Sequence, residues 1–396
     1  MAGLLETAFS KAATGGNQWG QREDLLDQMI LVDEKTTPFL SLVKKGATPR
    51  NTLLEWHVDK YNNPEIENAT VDGQDIVHDI QDHASTIGVD AENHAANRDH
   101  MGTYLQVQRR VGHVSRLAQN VNVTAGVTDE YARAVAHQSV HLARDMESTL
   151  LAYREHRAGT SSTPYLTRGL GTWLIDDATQ TANGLEQNNG DGAPSGGSAH
   201  YVTQSTDYEV PDAFKPSADA TMKLASDTAA TDVTETVVQD MLQAIYDNTG
   251  MIGDYKLLCG SILRRQFTNM TRQVQAGSSN PFYTNRQFNT NLETTKIKDT
   301  TQIYEGDFGI LEVLPSNFIG QQFVYGGTEA TNKSVNKTCG YILDMDKIEL
   351  KFYKRPAVEK FSDQGGGPRF MIETGYALCV GNPIGMGSFN ARYLKA

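Results

Sequence analysis

The stretch "TTPFLSLVKKGATPRNTLLEWHVDKY" runs from Thr36 to Tyr61. It begins as a turn at Pro38 and ends as a strand. Thr52, Leu54, Trp56 and Val58 fall on one face; Leu53, Glu55, His57 and Asp59 fall on the other. A period of two means an extended segment with two distinct faces. The next block of chain is too acidic to serve as its core. Residues 61–100 hold nine acids (Glu65, Glu67, Asp72, Asp75, Asp79, Asp82, Asp90, Glu92, Asp99) against one base, Arg98, a net −8 of the chain's −13. "MGTYLQVQRRVGHV" at 101–114 then returns as a strand. Thr103, Leu105, Val107 and Val111 share its apolar side, interrupted by Arg109. The two strands make a hairpin arm with an acidic tip. Such a pair is marginal in water and leaves its edges open. It is therefore expected to lie across another copy of the chain. The residues expected to make that contact are Leu54, Trp56, Val58, Glu65, Glu67, Asp72, Asp75, Asp79, Asp82, Leu105 and Val107.

Outward from the arm, helices and strands segregate. Upstream, "REDLLDQMILVDEK" at 22–35 has helical spacing and is expected to stop at Pro38. Downstream, "TDEYARAVAHQSVHLARDMESTLLAYREHRAG" is the strongest helical signal, from an N-cap at Thr128 to a stop at Gly159. Its apolar stripe is Tyr131, Val135, Leu142, Met146, Leu150 and Tyr153. About 30 residues make a rod of about 45 Å, long enough to span the molecule. Residues 175–220 are rich in Gly, Asn, Asp and Ser and read as a surface insertion. "DVTETVVQDMLQAIYDNTG" is a helix capped by Asp232 or Thr234 and closed at Gly250. "YKLLCGS" is a buried strand and "ILRRQFTNMTRQVQ" a helix. After residue 294 the pattern is one of strands.

Composition narrows the function. The chain has 396 residues, 39% hydrophobic and 21% charged, a globular profile. A net charge of −13 disfavours a general nucleic-acid or anionic-membrane surface. No apolar run reaches the roughly 20 residues of a membrane span, and the start lacks a secretory signal. Cys259, Cys339 and Cys379 are widely spaced, with no CxxC, and read as buried thiols.

Enzymatic leads are weak. "HQSVH" sets His137 and His141 one helical turn apart, a metal-hydrolase spacing. The position that needs a general-base Glu is Gln138. Four histidines (His78, His83, His94, His100) lie in the acidic block, without a DxDxDG calcium loop. "GLGTW" and "QGGGPR" lack the GK[ST] of a phosphate cradle. No catalytic residue, metal or cofactor is expected.

The motifs taken together resemble a known family. "TTPFLSLVKKG" followed by "NTLLEWHVDKY", then "GTSSTPYLTRGLGTWL" after the long helix, "IYEGDFGILEVLPS" with its Tyr-x-x-x-Phe-Gly strand, and "RPAVEKFSDQGGGPRFMIETGYALCVGNP" occur in an order similar to the tailed-bacteriophage major capsid proteins of the Hong Kong 97-type fold. Glu373 opens the last of these strands, as in that group. One departure is "DQGGGPR", where the group has a Lys- and Gly-containing turn ending in Asp.

The resemblance implies an α+β capsid fold. Residues 1–46 would be an N-terminal arm, 47–115 the extended loop, and 116–169 a peripheral domain with its spine helix. Residues 170–345 would be an axial domain, and 346–396 strands returning to the peripheral domain. It implies hexamers and pentamers closing into an icosahedral shell around double-stranded DNA, with the DNA touched only non-specifically and no membrane. The chain would be made in the host cytoplasm and reside in the virion capsid. A portal and a decoration protein are implied partners. With some 35 residues before the Thr-Pro turn, a separate scaffolding protein is expected. Some relatives cross-link the extended loop through a Lys. Here no lysine occurs between Lys60 and Lys215, so a noncovalent shell is expected, its mature particles running as monomers on a denaturing gel. The alternative within the fold is an encapsulin-like cellular compartment.

Overall fold

The computed structural model describes residues 36–61, 72, 98–120, 129–152, 154–174, 187–188, 201–202, 208, 210–222, 233–270, 302–319, 339–363 and 365–390. The helix expected at 22–35 lies outside them.

The segment after Thr36 is helical before it is extended. Pro38–Leu42 forms α1, with Pro38 in its first turn, where a missing N–H costs nothing. Phe39 is fully buried in the core. Lys44–Lys45 is a short strand, β1, parallel to β12 (Ile348–Phe361). The two-faced strand is β2, Leu53–Val58, and it alternates as expected: Trp56 and Val58 turn inward while Glu55 and His57 are exposed. Its partner is β3, Asp99–Tyr104, with Leu54 opposite Thr103 and Trp56 opposite Met101.

The expected second arm strand is two strands. β3 ends at Tyr104, and β4 (Gln106–His113) leaves the arm to pair with β13 (Arg369–Val380). The apolar side expected for 101–114 is split accordingly. Thr103 is fully buried under the hairpin, whereas Val107 and Val111 are 57% and 62% exposed. The reason lies in what faces the helix behind the sheet. Gln108 Nε2 donates to Thr149 (2.8 Å), and Arg110 pairs with Asp145 at 2.5 and 2.7 Å. Polar residues take the inner face because that helix offers them polar partners there.

The peripheral sheet has the order β1-β12-β13-β4 and packs on the spine helix α3, Glu130–Leu150. This helix is shorter than the sequence implies: 21 residues, so about 32 Å rather than 45 Å. Asp129, not Thr128, caps it, accepting from Tyr131 N (2.9 Å) and Ala132 N (3.1 Å). It stops nine residues before Gly159 because tertiary partners outcompete the next turn. Gly169 N donates to Arg154 O (2.8 Å), and Arg157 and Leu166 exchange backbone bonds at 3.0 and 3.1 Å. A Cβ on Gly169 would lie 2.2 Å from Ala152 O, so this approach requires glycine. A small helix, α2 (Arg116–Asn120), precedes the spine, and α4 (Leu170–Trp173) follows it.

A second sheet, ordered β7-β14-β11-β8-β10-β9, builds the other core. It comprises β7 (Thr221–Met222), β8 (Gly253–Cys259), β9 (Ile303–Gly306), β10 (Gly309–Pro315), β11 (Cys339–Leu343) and β14 (Gly387–Asn390). A short parallel pair, β5 (Gln187–Asn188) and β6 (Tyr201–Val202), lies within the insertion. Helices α5 (Glu235–Thr249) and α6 (Ser261–Met270) supply Met241, Leu242, Ile245, Leu263 and Phe267 to this core. Thr234 caps α5, and Gly250 ends it at φ 67°. The strand β14 differs from the expected return to the peripheral sheet: it pairs with β11 and β7 here. Phe389 explains the choice, being fully buried edge-on to Phe267 at 5.8 Å. The three cysteines are free and buried, and burial pushes the Cys259 and Cys379 thiols up to about 12. Among the described residues no helix is long and apolar enough to cross a membrane.

Candidate subunit-assembly surfaces

The base of the arm is clamped to its own chain. Trp56 packs against Trp173 with ring centroids 5.5 Å apart. The Arg168 guanidinium lies 4.5 Å over the Trp173 ring. Arg168 is fully buried and donates to Glu155 Oε1 from Nε (2.8 Å) and Nη2 (2.6 Å). His156 Nδ1 lies 2.9 Å from the same oxygen. Burial works to raise the Glu155 carboxyl, but Arg168 and His156 outweigh it and hold the group below its ordinary value. On β3, Tyr104 meets His156 at 5.4 Å and Tyr165 at 5.9 Å, and His100 meets Tyr208 at 5.7 Å. Aromatic and charged groups thus grip both strands where the arm leaves the body.

The expected contact residues therefore separate. Val58 is buried in the chain's own core, and Leu54 and Trp56 are half-buried. Leu105 is half-buried, and its N–H donates to Thr52 O at 2.8 Å. Val107 is exposed, and Asp72 is an exposed turn residue. Glu65, Glu67, Asp75, Asp79 and Asp82 lie outside the described residues. Of the spine stripe, Leu142, Met146 and Leu150 are buried, and Tyr131 and Val135 are half-buried. Tyr131 meets Phe370 edge-on at 5.4 Å. Tyr153 lies outside the described residues. The His137 and His141 rings are 6.4 Å apart, and no cluster of three or more potential ligands occurs among the described residues.

The outer face of the peripheral sheet carries exposed apolar side chains. Its register sets Val107 beside Gly375, Arg109 beside Glu373, and Val111 beside Met371. Tyr353 (63% exposed) and Phe361 (48%) continue the apolar row onto β12. Pattern reading did not single out Tyr353 and Phe361, because their strand is half inside and half outside the core. At the tip of β12 and β13, the departing "DQGGGPR" turn is built around Asp363. That carboxylate accepts from Gly365 N (2.8 Å), Gly367 N (3.0 Å) and Arg116 Nη2 (2.6 Å). Arg116 first, then the two amides, hold its carboxyl down at about 2. Gly367 sits at φ 118° with Val114 O 2.2 Å from where a Cβ would be, so no other residue fits.

Sequence reading also missed Glu147. It is an acid on the inward face of α3, one turn before Leu150, and is fully buried. Its Oε1 accepts from Phe39 N (2.9 Å) and its Oε2 from Leu40 N (2.8 Å). Burial pushes its carboxyl up to about 7 against the pull of those two amides. The signal was an acid inside an apolar stripe.

Comparison with known proteins gives the same outline. Residues 7–391 match a family model described as SU10 major capsid protein. No curated protein matches the sequence. The chain is similar in structure to the capsid asymmetric unit of cyanophage A-1(L), with TM-score 0.52 and 12% identity over 95% of this chain and 98% of that one. It is similar to the capsid of a native GTA particle, with TM-score 0.50 and 10% identity over 96% and 99%. An encapsulin complex from Synechococcus elongatus gives TM-score 0.45 and 7% identity over 93% and 91%. At such identities the first two likenesses are ones of fold. That fold is the α+β Hong Kong 97-type capsid fold expected from the sequence.

Proposed function

Because the chain belongs to the SU10 major capsid protein family, we propose that its copies close as hexamers and pentamers into an icosahedral shell enclosing double-stranded DNA. It is a major capsid protein, a structural subunit of the virion capsid that associates with itself. The family match over residues 7–391 carries this conclusion.

The residue-level reading is ours. Residues 1–46 act as an N-terminal arm and 47–115 as the extended loop. Residues 116–169 and most of 346–396 make the peripheral domain, and 170–345 make the axial domain. The acidic tip, with Glu65, Glu67, Asp72, Asp75, Asp79 and Asp82, meets a neighbour's peripheral sheet. Three observations support this. The tip is acidic. Arg109 and Arg355 are exposed and make no ion pair within the described residues. The row Val107, Val111, Tyr353 and Phe361 has no cover among the described residues. Leu54, Trp56 and Val58 secure the arm's base instead. A separate scaffolding protein and a portal are the other partners, and synthesis is in the host cytoplasm. DNA contact is non-specific, in keeping with the acidic net charge.

Electron microscopy of the purified chain, expressed with and without its neighbouring genes, tests the reading. Closed shells or hexamer and pentamer rings are expected. A monodisperse monomer under both conditions would overturn it.

A further inference from the structure

The amino-terminal segment is rooted in the spine helix by one buried carboxylate. The first N–H groups of any helix lack intrahelical partners. In α1, Pro38 has no N–H and Thr37 gives no side-chain cap, so the first two amides belong to Phe39 and Leu40. Both are taken by Glu147, 108 and 107 residues away in sequence. Immediately beyond α1, β1 joins β12, and Gly46 N donates to Leu350 O at 3.0 Å. The grip of Glu147 thus holds the first helix of the described residues.

A buried charge is a poor way to gain stability, since an apolar residue of similar size often does as well. Its best-attested use is to specify one arrangement or to switch between two. We propose that Glu147 is a positioning residue for α1: it fixes where Pro38–Leu42 docks on the spine helix, and the docking strengthens and weakens with its protonation.

The surroundings isolate the group. Helix α1 carries no titratable side chain. On its own helix, Asp145 pairs with Arg110, and Arg144 lies over the Phe318 ring at 5.5 Å. Lys44, which comes after α1, pairs with Asp346 at 2.7 Å. What governs Glu147 is burial, opposed by the Phe39 and Leu40 amides.

The sign comes from linkage. A carboxyl raised from 4.5 to about 7 in the docked state binds a proton more tightly there than when released. Docking is therefore strongest below about pH 4.5 and weakens as pH rises toward 7, by up to about tenfold per pH unit. Above 7 it stays at its weakest. The consequence for assembly rests on the capsid reading; the grip itself does not.

Hydrogen exchange of the Phe39 and Leu40 amides tests this on the full-length subunit between pH 5 and 8, after division by the intrinsic exchange rates. The opening equilibrium is expected to climb at least about tenfold from pH 5 to 7.5 and then level off. In Glu147→Gln it should change less than about threefold, because the neutral amide has nothing to titrate. A flat wild-type profile would overturn the proposal even if the variant failed to fold. The same climb in the variant would also overturn it. Neither outcome depends on shell closure, which microscopy reads separately.

Discussion

At the residue scale, the molecule concentrates its charges where they hold elements together. Arg168 and Glu155 are both buried, and each is the other's main counter-charge. Removing one partner strands the other in a low dielectric. Arg168→Met should therefore destabilise the subunit by about 3–5 kcal/mol in urea unfolding. The double variant Arg168→Met/Glu155→Leu should recover much of that loss. None of this was legible in the sequence. "YREHRAG" falls within the stretch whose pattern is helical to Gly159, and "LTRGLG" is legible only as part of a family motif. Their meeting depends on chain sections 13 residues apart folding back on one another.

At the element scale, patterns predicted kind better than extent. The alternation of β2 appears from Glu55 to Val58, where its two faces have different surroundings, while Leu53 and Leu54 are both half-buried. The spine helix was found with its buried stripe, but its ends were decided locally. Asp129 takes two free amides at its start, so Asp129→Ala should cost about 1 kcal/mol, read as a lower midpoint in thermal unfolding. Its far end yields to backbone bonds with 166–169, which no periodicity reports. The 101–114 strand shows the same limit. One continuous pattern serves two sheets, and the break at Leu105 inverts which residues face the core.

At the scale of the whole molecule, two cores share one chain and leave Val107, Val111, Tyr353 and Phe361 on the outer sheet face exposed among the described residues. Exposed side chains there contribute little to folding, so a change should separate stability from assembly. Arg109→Glu is expected to shift unfolding by no more than about 0.5 kcal/mol. The same variant should fail to close shells in electron microscopy. Normal shells from it would remove Arg109 from the interface. The sequence by itself determined the family, the α+β class, the two-faced strand, the acidity of residues 61–100 and the kinds of most described elements. These rest on local periodicity, composition and short motifs, which act over a few residues. Only the tertiary structure decided that the arm's base belongs to its own subunit, that β4 and β14 change sheets, and that Glu147 holds the amino-terminal root. Each of these depends on groups roughly 50 to more than 200 residues apart competing for the same buried partners. Which partner wins is set by packing and desolvation, and those have no value until the chain has folded.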